Sequence, residues 1–204
     1  MSDRTYLMVA GQVCRDGPDV LFFYDFLCNL SRSARPEWEG FMARNVFYSF
    51  HYMPDNWRAA QVRNMGVLEG NRPASDNDWE TVQKAGDSAI KNWIDSQLRG
   101  RSCTVVLIGA GTAGRPWINY EIEKSWADGK GVVGIYIHNL QNREGRQSAK
   151  GSNPFSGRMV DRVLLSSTVK TYDPPFTSSQ YVYGHIKNNL AMWVEEAVEI
   201  RRKY

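Results

Sequence analysis

Trp117 and Glu121 stand four residues apart in the stretch PWINYEIEKSW, so on a helix they share one face. Near the start of a helix that face can look into the crevice at strand ends. Left to composition, the pair is a core tryptophan and a solvated glutamate. Glu123 lies roughly 200° further round the helix and is expected to face solvent, as a surface control. Just upstream, Gly109-Ala-Gly111-Thr-Ala-Gly114 spells GxGxxG. Taken at face value it is a dinucleotide fingerprint, which needs a strand before it, a helix after it and an acid at the end of the next strand. The next strand ends in Ile137-His138-Asn139, with no acid for a ribose diol, and Pro116-Trp117 crowds the helix start. A tight strand-to-helix turn whose amides line a pocket is the preferred reading. The other reactive side chains are sparse. Cys14, Cys28 and Cys103 form no CxxC, and His51, His138 and His185 form no ligand pair. Cys103 has no basic activator beyond Arg101, so a nucleophilic or redox role is not expected.

The elements that must position these residues alternate between strand and helix. Asn45–His51 is aromatic and β-branched, a buried strand. A helix is expected at 57–65 with Asn56 as cap, and a short strand at 66–68. A long amphipathic helix is expected at 78–99, its stripe carrying Trp79, Val82, Ile90, Trp93, Ile94 and Leu98, with Gly100 as its stop. Ser102–Ile108 and Gly131–His138 are continuous apolar runs of the parallel-strand kind. Between them a helix is expected over 116–128, opened by Pro116. A polar loop at 141–154 leads to a short segment at 160–165, a last strand at 169–172 and a terminal helix at 181–202. This order predicts an α/β fold: a flavodoxin-like, doubly wound parallel sheet of four or five strands. Ligands of such sheets bind outside the carboxyl ends of the strands, which singles out the loops after His51, Ile108 and His138.

The chain has 204 residues, 42% apolar and 23% charged, which suits one globular domain or one domain with an extension. No apolar run approaches the ~18 residues of a membrane span. The net charge of +3 is too small to argue for nucleic acid. A reduced, cytoplasmic protein is expected. Residues 1–41 carry four arginines against six acids, and two of the three cysteines. They are read as an extension of uncertain status, from an upstream start codon or as an extra element packed on a domain at 42–204.

Residues 45–138, with the loop to 155, resemble the TIR superfamily, and within it the TIR-like group of the Thoeris anti-phage system, the ThsB proteins. NVFYSFHY at 45–52 is similar to the TIR opening strand. TVVLIGAGTAGRPWINYEIEKSW at 104–126 carries the second signature, a Trp four residues before a catalytic Glu that an apolar residue follows: Trp117, Glu121 and Ile122. SDNDWE at 75–80 and KGSNPF at 150–155 also resemble this group.

The resemblance implies an NAD glycohydrolase or ADP-ribosyl cyclase. NAD is its substrate, and no resident cofactor or metal is expected. A diffusible nucleotide product would reach a separate effector protein, with self-association possible and no nucleic acid or membrane partner. The alternative is a non-catalytic TIR adaptor acting through TIR–TIR contacts, since a fold does not settle function. A plain nucleotide binder using the glycine-rich turn is a third reading. For an NAD-cleaving enzyme Glu121 is the expected catalytic residue. Nicotinamide departs as a neutral base and needs no proton, so one carboxylate suffices to hold the ribose and stabilise its developing positive charge. Ser49, Phe50, His51, Tyr52, Asp55, Arg58, Asp76 and Trp117 are the expected substrate-binding residues. Each has a plainer reading. Strand alternation keeps some of 49–52 from the pocket. His51 contacts phosphate or ribose, or is a satisfied histidine. Arg58 pairs with pyrophosphate or is solvated. Asp76 caps a helix or walls the pocket, while Trp79 is core. Trp117 stacks on nicotinamide, walls the ribose or is core. Lys150 and Asn153 shape a lid or partner surface, or a structural turn.

Overall fold

β1 (Asn45–Ser49) buries four consecutive residues, Val46, Phe47, Tyr48 and Ser49, because both faces of the sheet are covered. The structure is a computed structural model, and it describes residues 44–70 and 86–204. The expectations for residues 1–41 and for Asp76, Trp79 and Val82 lie outside the described residues.

The chain runs from β1 into α1 (Tyr52–Arg63), β2 (Glu69–Gly70), α2 (Asp87–Leu98), β3 (Cys103–Ile108), α3 (Pro116–Ala127) and β4 (Gly131–Tyr136). A hairpin of β5 (Met159–Val160) and β6 (Val163–Leu164) follows, then the single turn α4 (Leu165–Thr168), β7 (Thr171–Tyr172) and the long α5 (Ser179–Arg201). The main sheet has the order β2-β1-β3-β4-β7, and every neighbouring pair is parallel. This is the expected doubly wound sheet. Its order reverses between β1 and β3, so the ligand crevice of such a fold opens at Ser49 and Ile108.

Alternation along the strands sorts the core into two faces. Val46 and Tyr48 of β1, Val105 and Leu107 of β3, and Val133 and Ile135 of β4 pack with Ala59 and Val62 of α1 and with Val182, Ile186, Leu190 and Val194 of α5. Arg44 ties the start of β1 to α5 through a two-pronged pair with Glu195, at 2.6 and 2.8 Å. On the opposite face, Val106 and Ile108 meet Ile118, Ile122 and Trp126 of α3. Phe47 meets Ile90, Ile94 and Leu98 of α2 there. Ser49, two residues after Phe47, is thereby aimed at the α2/α3 side.

Several boundaries differ from expectation. The first helix begins at Tyr52, five residues before the expected start, with His51 rather than Asn56 at its N-cap. Pro54 sits in the first turn of this helix, where its missing N–H has no partner to lose. The segment near 160 is a hairpin whose Asp161 and Arg162 both take positive φ, as a tight two-residue turn demands. The amphipathic helix expected over 78–99 begins only at Asp87, because Gly86 takes φ 86° and ψ 178° as its N-cap and cannot continue a helix through that point; Gly100 follows α2 at φ 70°, as a helix stop requires. Among the described residues no helix is long and apolar enough to cross a membrane.

Ile94 is fully buried between α2 and Phe47. Ile94→Ala is expected to lower unfolding free energy by about 2–4 kcal/mol. Urea denaturation checks this, and a midpoint equal to wild type would contradict the assigned packing.

Candidate functional site

Glu121 lies one helical turn beyond Trp117 on α3, and its carboxyl reaches the end of β1. The Ser49 hydroxyl donates to Glu121 Oε2 at 2.6 Å. Ser49 is 1% exposed, whereas Glu121 is half-buried. Burial pushes the Glu121 carboxyl up to about 7, and the Ser49 hydrogen bond pulls against that shift. The site therefore holds a carboxyl that changes charge near neutral pH.

The same turn of α3 is pinned by a second pair of hydroxyls. Ser125 Oγ donates to the Glu121 carbonyl at 2.6 Å, and Thr104 Oγ1 lies 2.7 Å from Ser125 Oγ. With its proton committed to the carbonyl, Ser125 accepts from Thr104, a residue of β3. Both hydroxyl residues are fully buried. Residue types alone did not point to them; the pairing needs the α3–β3 packing to be known.

The glycine-rich turn has a steric explanation. A Cβ at Gly109 would stand 2.0 Å from Asp55 Oδ2, and one at Gly111 would stand 3.2 Å from His51 Nδ1. Gly114 takes φ 80°. The first amide of the turn is already engaged, since Gly109 N–H donates to Thr112 Oγ1 at 2.9 Å. From the other side, a Cβ at Gly151 would fall 2.0 Å from the Gly109 carbonyl oxygen. The turn is thus packed between α1 and the loop at 150–155.

Asp55 and Arg58 occupy neither of the positions expected of an open site. Asp55 is 1% exposed and Arg58 4%. The Arg58 guanidinium donates to Leu140 O, Pro54 O, Arg146 O and Asp55 Oδ1, so it braces the loop after β4. A solvated arginine is excluded by this burial, and its donors are directed at protein rather than at the crevice. Burial pushes the Asp55 carboxyl up, with Arg58 opposing. Asp55 Oδ2 and His51 Nδ1 are both buried without a hydrogen-bond partner. Burial and the nearby Arg115 charge hold His51 below its ordinary range, against the pull of Asp55.

The remaining candidates divide by strand alternation. Phe50 packs on the α1/α5 face, with its ring 6.3 Å from that of Tyr52 and the Arg63 guanidinium 6.0 Å from its centroid. Neither Phe50 nor Tyr52, which is 39% exposed, is brought to Glu121 by that packing. Trp117 is half-buried at the α2/α3 seam, edge-on to Tyr120 at 6.5 Å. Lys150 pairs with Asp173 at 2.7 Å and sits 4.7 Å over the Tyr136 ring, while Asn153 Oδ1 accepts from Phe155 N–H within a turn. Glu123 is not a free surface residue, because Arg158 is paired with it. Cys103 is fully buried and its thiol is pushed far up by burial, which leaves it inert. A polar depression of about 460 Å³, lined by Gln141, Gln147, Ser178 and Gln180 among others, lies at the start of α5 and contains none of the expected site residues.

Comparison with known proteins shows what this part of the chain is similar to. Residues 47–142 match the model of the Thoeris protein ThsB, TIR-like domain. A protein of Bacillus cereus (strain MSX-D12) named "Putative cyclic ADP-D-ribose synthase ThsB1" is 40% identical over 119 residues, which cover 56% of this chain and 62% of that protein. The chain thus spans less than two thirds of the length of the curated relative it matches.

The raised Glu121 carboxyl has a consequence for stability. Below the ordinary glutamate range it is protonated both folded and unfolded and costs nothing. As pH rises from there to about 7, the unfolded chain ionises first and the folded state loses stability. Glu121→Gln is therefore expected to stabilise the protein by about 1–2 kcal/mol at pH 8, after allowance for partial solvent contact, and to change nothing at pH 4. Denaturant melts at the two pH values check this; equal gains at both would contradict it.

Proposed function

We propose that this chain, which matches the ThsB TIR-like domain model over residues 47–142, is a member of the Thoeris ThsB family that cleaves the nicotinamide–ribose bond of NAD and releases a nucleotide signal in anti-phage defence. The observation that carries the reading is the Glu121 carboxyl, half-buried at the β1/β3 switch point, held by Ser49 at 2.6 Å and one turn from Trp117. The name of the Bacillus cereus relative supports a cyclising outcome.

The chemistry asks little of the protein. The C1′–N bond breaks, its electron pair leaves with nicotinamide as a neutral base, and positive charge develops across C1′ and the ring oxygen. Ionised Glu121 stabilises that charge and holds the ribose hydroxyls. Trp117 walls the ribose. Water adding at C1′ and losing a proton yields ADP-ribose. A nitrogen of the adenine ring attacking C1′ instead yields a cyclic ADP-ribose. The half-buried site favours the second outcome, because it limits water at the cation. We assign the working domain to residues 42–204, in the cytoplasm where NAD is abundant. The product acts on a separate effector protein.

Purified protein, and cells making it during phage infection, should release nicotinamide from NAD, with mass spectrometry identifying the second product. Glu121→Gln is expected to lower release by roughly 10²–10³-fold while the protein stays folded. In wild type the rate should rise with pH through about 7, as the carboxylate forms. Equal release by wild type and Glu121→Gln would overturn the assignment.

A further inference from the structure

Glu121 Oε2 is held by Ser49, while Oε1 has no hydrogen bond among the described residues, and the residue as a whole is half-buried. One oxygen is thus engaged by the protein, and the other has no protein donor among the described residues. We propose that Ser49 is a positioning residue: its hydroxyl holds one oxygen of the Glu121 carboxylate and so directs the other at the ribose of the substrate. This rests on the functional reading above and deepens it.

Geometry carries the assignment. Ser49 ends β1 on the α3 face, 1% exposed, where a hydroxyl finds no water to bond. Its donor is 2.6 Å from a carboxylate oxygen, the short range typical of a hydrogen bond to a charged acceptor. The backbone of that residue is fixed independently by the Thr104–Ser125 pair, so β1 and β3 clamp the side chain and main chain of Glu121 separately. Without Ser49 the carboxyl keeps its place on the helix but is free to rotate about its side chain.

Among the described residues, charged side chains of the neighbouring elements are engaged elsewhere. On α3 itself Glu123 is engaged by Arg158 and Lys124 by Asp128. On α2, Asp95 accepts from the Tyr120 hydroxyl, and Lys91 lies over the Tyr120 ring. On α1, His51 and Asp55 face the glycine-rich turn. Among the described residues, the Ser49 hydrogen bond is the contact that opposes the upward push of burial on the Glu121 carboxyl.

The test measures kcat and KM for nicotinamide release from pH 5 to 9 in full-length wild type, Ser49→Ala and Ser49→Thr. It also follows the Glu121 carboxyl by carbon-13 NMR in the same proteins, with Glu121→Gln identifying the signal. Loss of the hydroxyl should move the Glu121 titration up by about 1 unit. At pH 7 kcat should fall by roughly tenfold, with KM within about twofold of wild type, and the deficit should narrow by pH 9. Ser49→Thr, which keeps the hydroxyl, should titrate like wild type. An unmoved Glu121 titration in Ser49→Ala, or the same loss of kcat at every pH, would overturn the proposal. If Glu121→Gln turns over like wild type, the NAD-cleaving reading fails instead, and the NMR titration still decides whether Ser49 governs the carboxyl.

Discussion

A carboxyl group taken out of water must either gain a partner or keep its proton. At Glu121 both happen in part. The helix α3 carries it against the end of β1, burial raises it toward neutrality, and one hydroxyl holds one of its oxygens. Most of the surrounding architecture follows from keeping that contact. Ser49 reaches α3 because β1 alternates, with Val46 and Tyr48 on one face and Phe47 and Ser49 on the other. The α3 helix sits at the correct height because Ile118, Ile122 and Trp126 lock into Val106 and Ile108. Its turn at Glu121 is tied by Ser125 to Thr104 on the neighbouring strand.

The loops around the crevice are held by a different set of contacts, and these account for the glycines. Asp55 and His51, both at the beginning of α1, occupy the space a side chain would need at Gly109 and Gly111. Arg58 cross-links α1 to the carbonyls of Leu140 and Arg146, beyond β4. Lys150 fastens the following loop to Asp173 and Tyr136. Arg58 is thus a buried charge bonded to backbone carbonyls, which is an expensive way to pack a loop unless the geometry it fixes is used.

Much of the fold was legible in the residues. SCTVVLI and GVVGIYIH are continuous apolar runs, and they became the two central strands, buried on both faces. Gly100 and Pro116 marked helix ends correctly, because each acts through local backbone geometry. The first helix was placed five residues late, since Asn56 is a good cap by residue type, whereas His51, which takes that position, makes no side-chain cap hydrogen bond that its type could announce. Within the site, the shared face of Trp117 and Glu121 followed from helical spacing. The Gly109–Gly114 run was legible as a tight strand-to-helix turn, but its packing against Asp55 and His51 and the role of Arg58 were not, because these depend on what lies across from them in the fold. Ser49 was legible as a residue near the site, but its partner was not: a strand end and a helix 72 positions apart meet only through the sheet order.

The central claim is that the crevice at Ser49 and Glu121, and not the glycine-rich turn, receives the reactive end of NAD. A crystal structure of the protein with a non-hydrolysable NAD analogue measures this directly. The account predicts the nicotinamide-side ribose hydrogen-bonded to Glu121 Oε1, with the Ser49 bond to Oε2 intact. A pyrophosphate seated on the amides of Gly109–Gly114, with Glu121 out of contact, would contradict it.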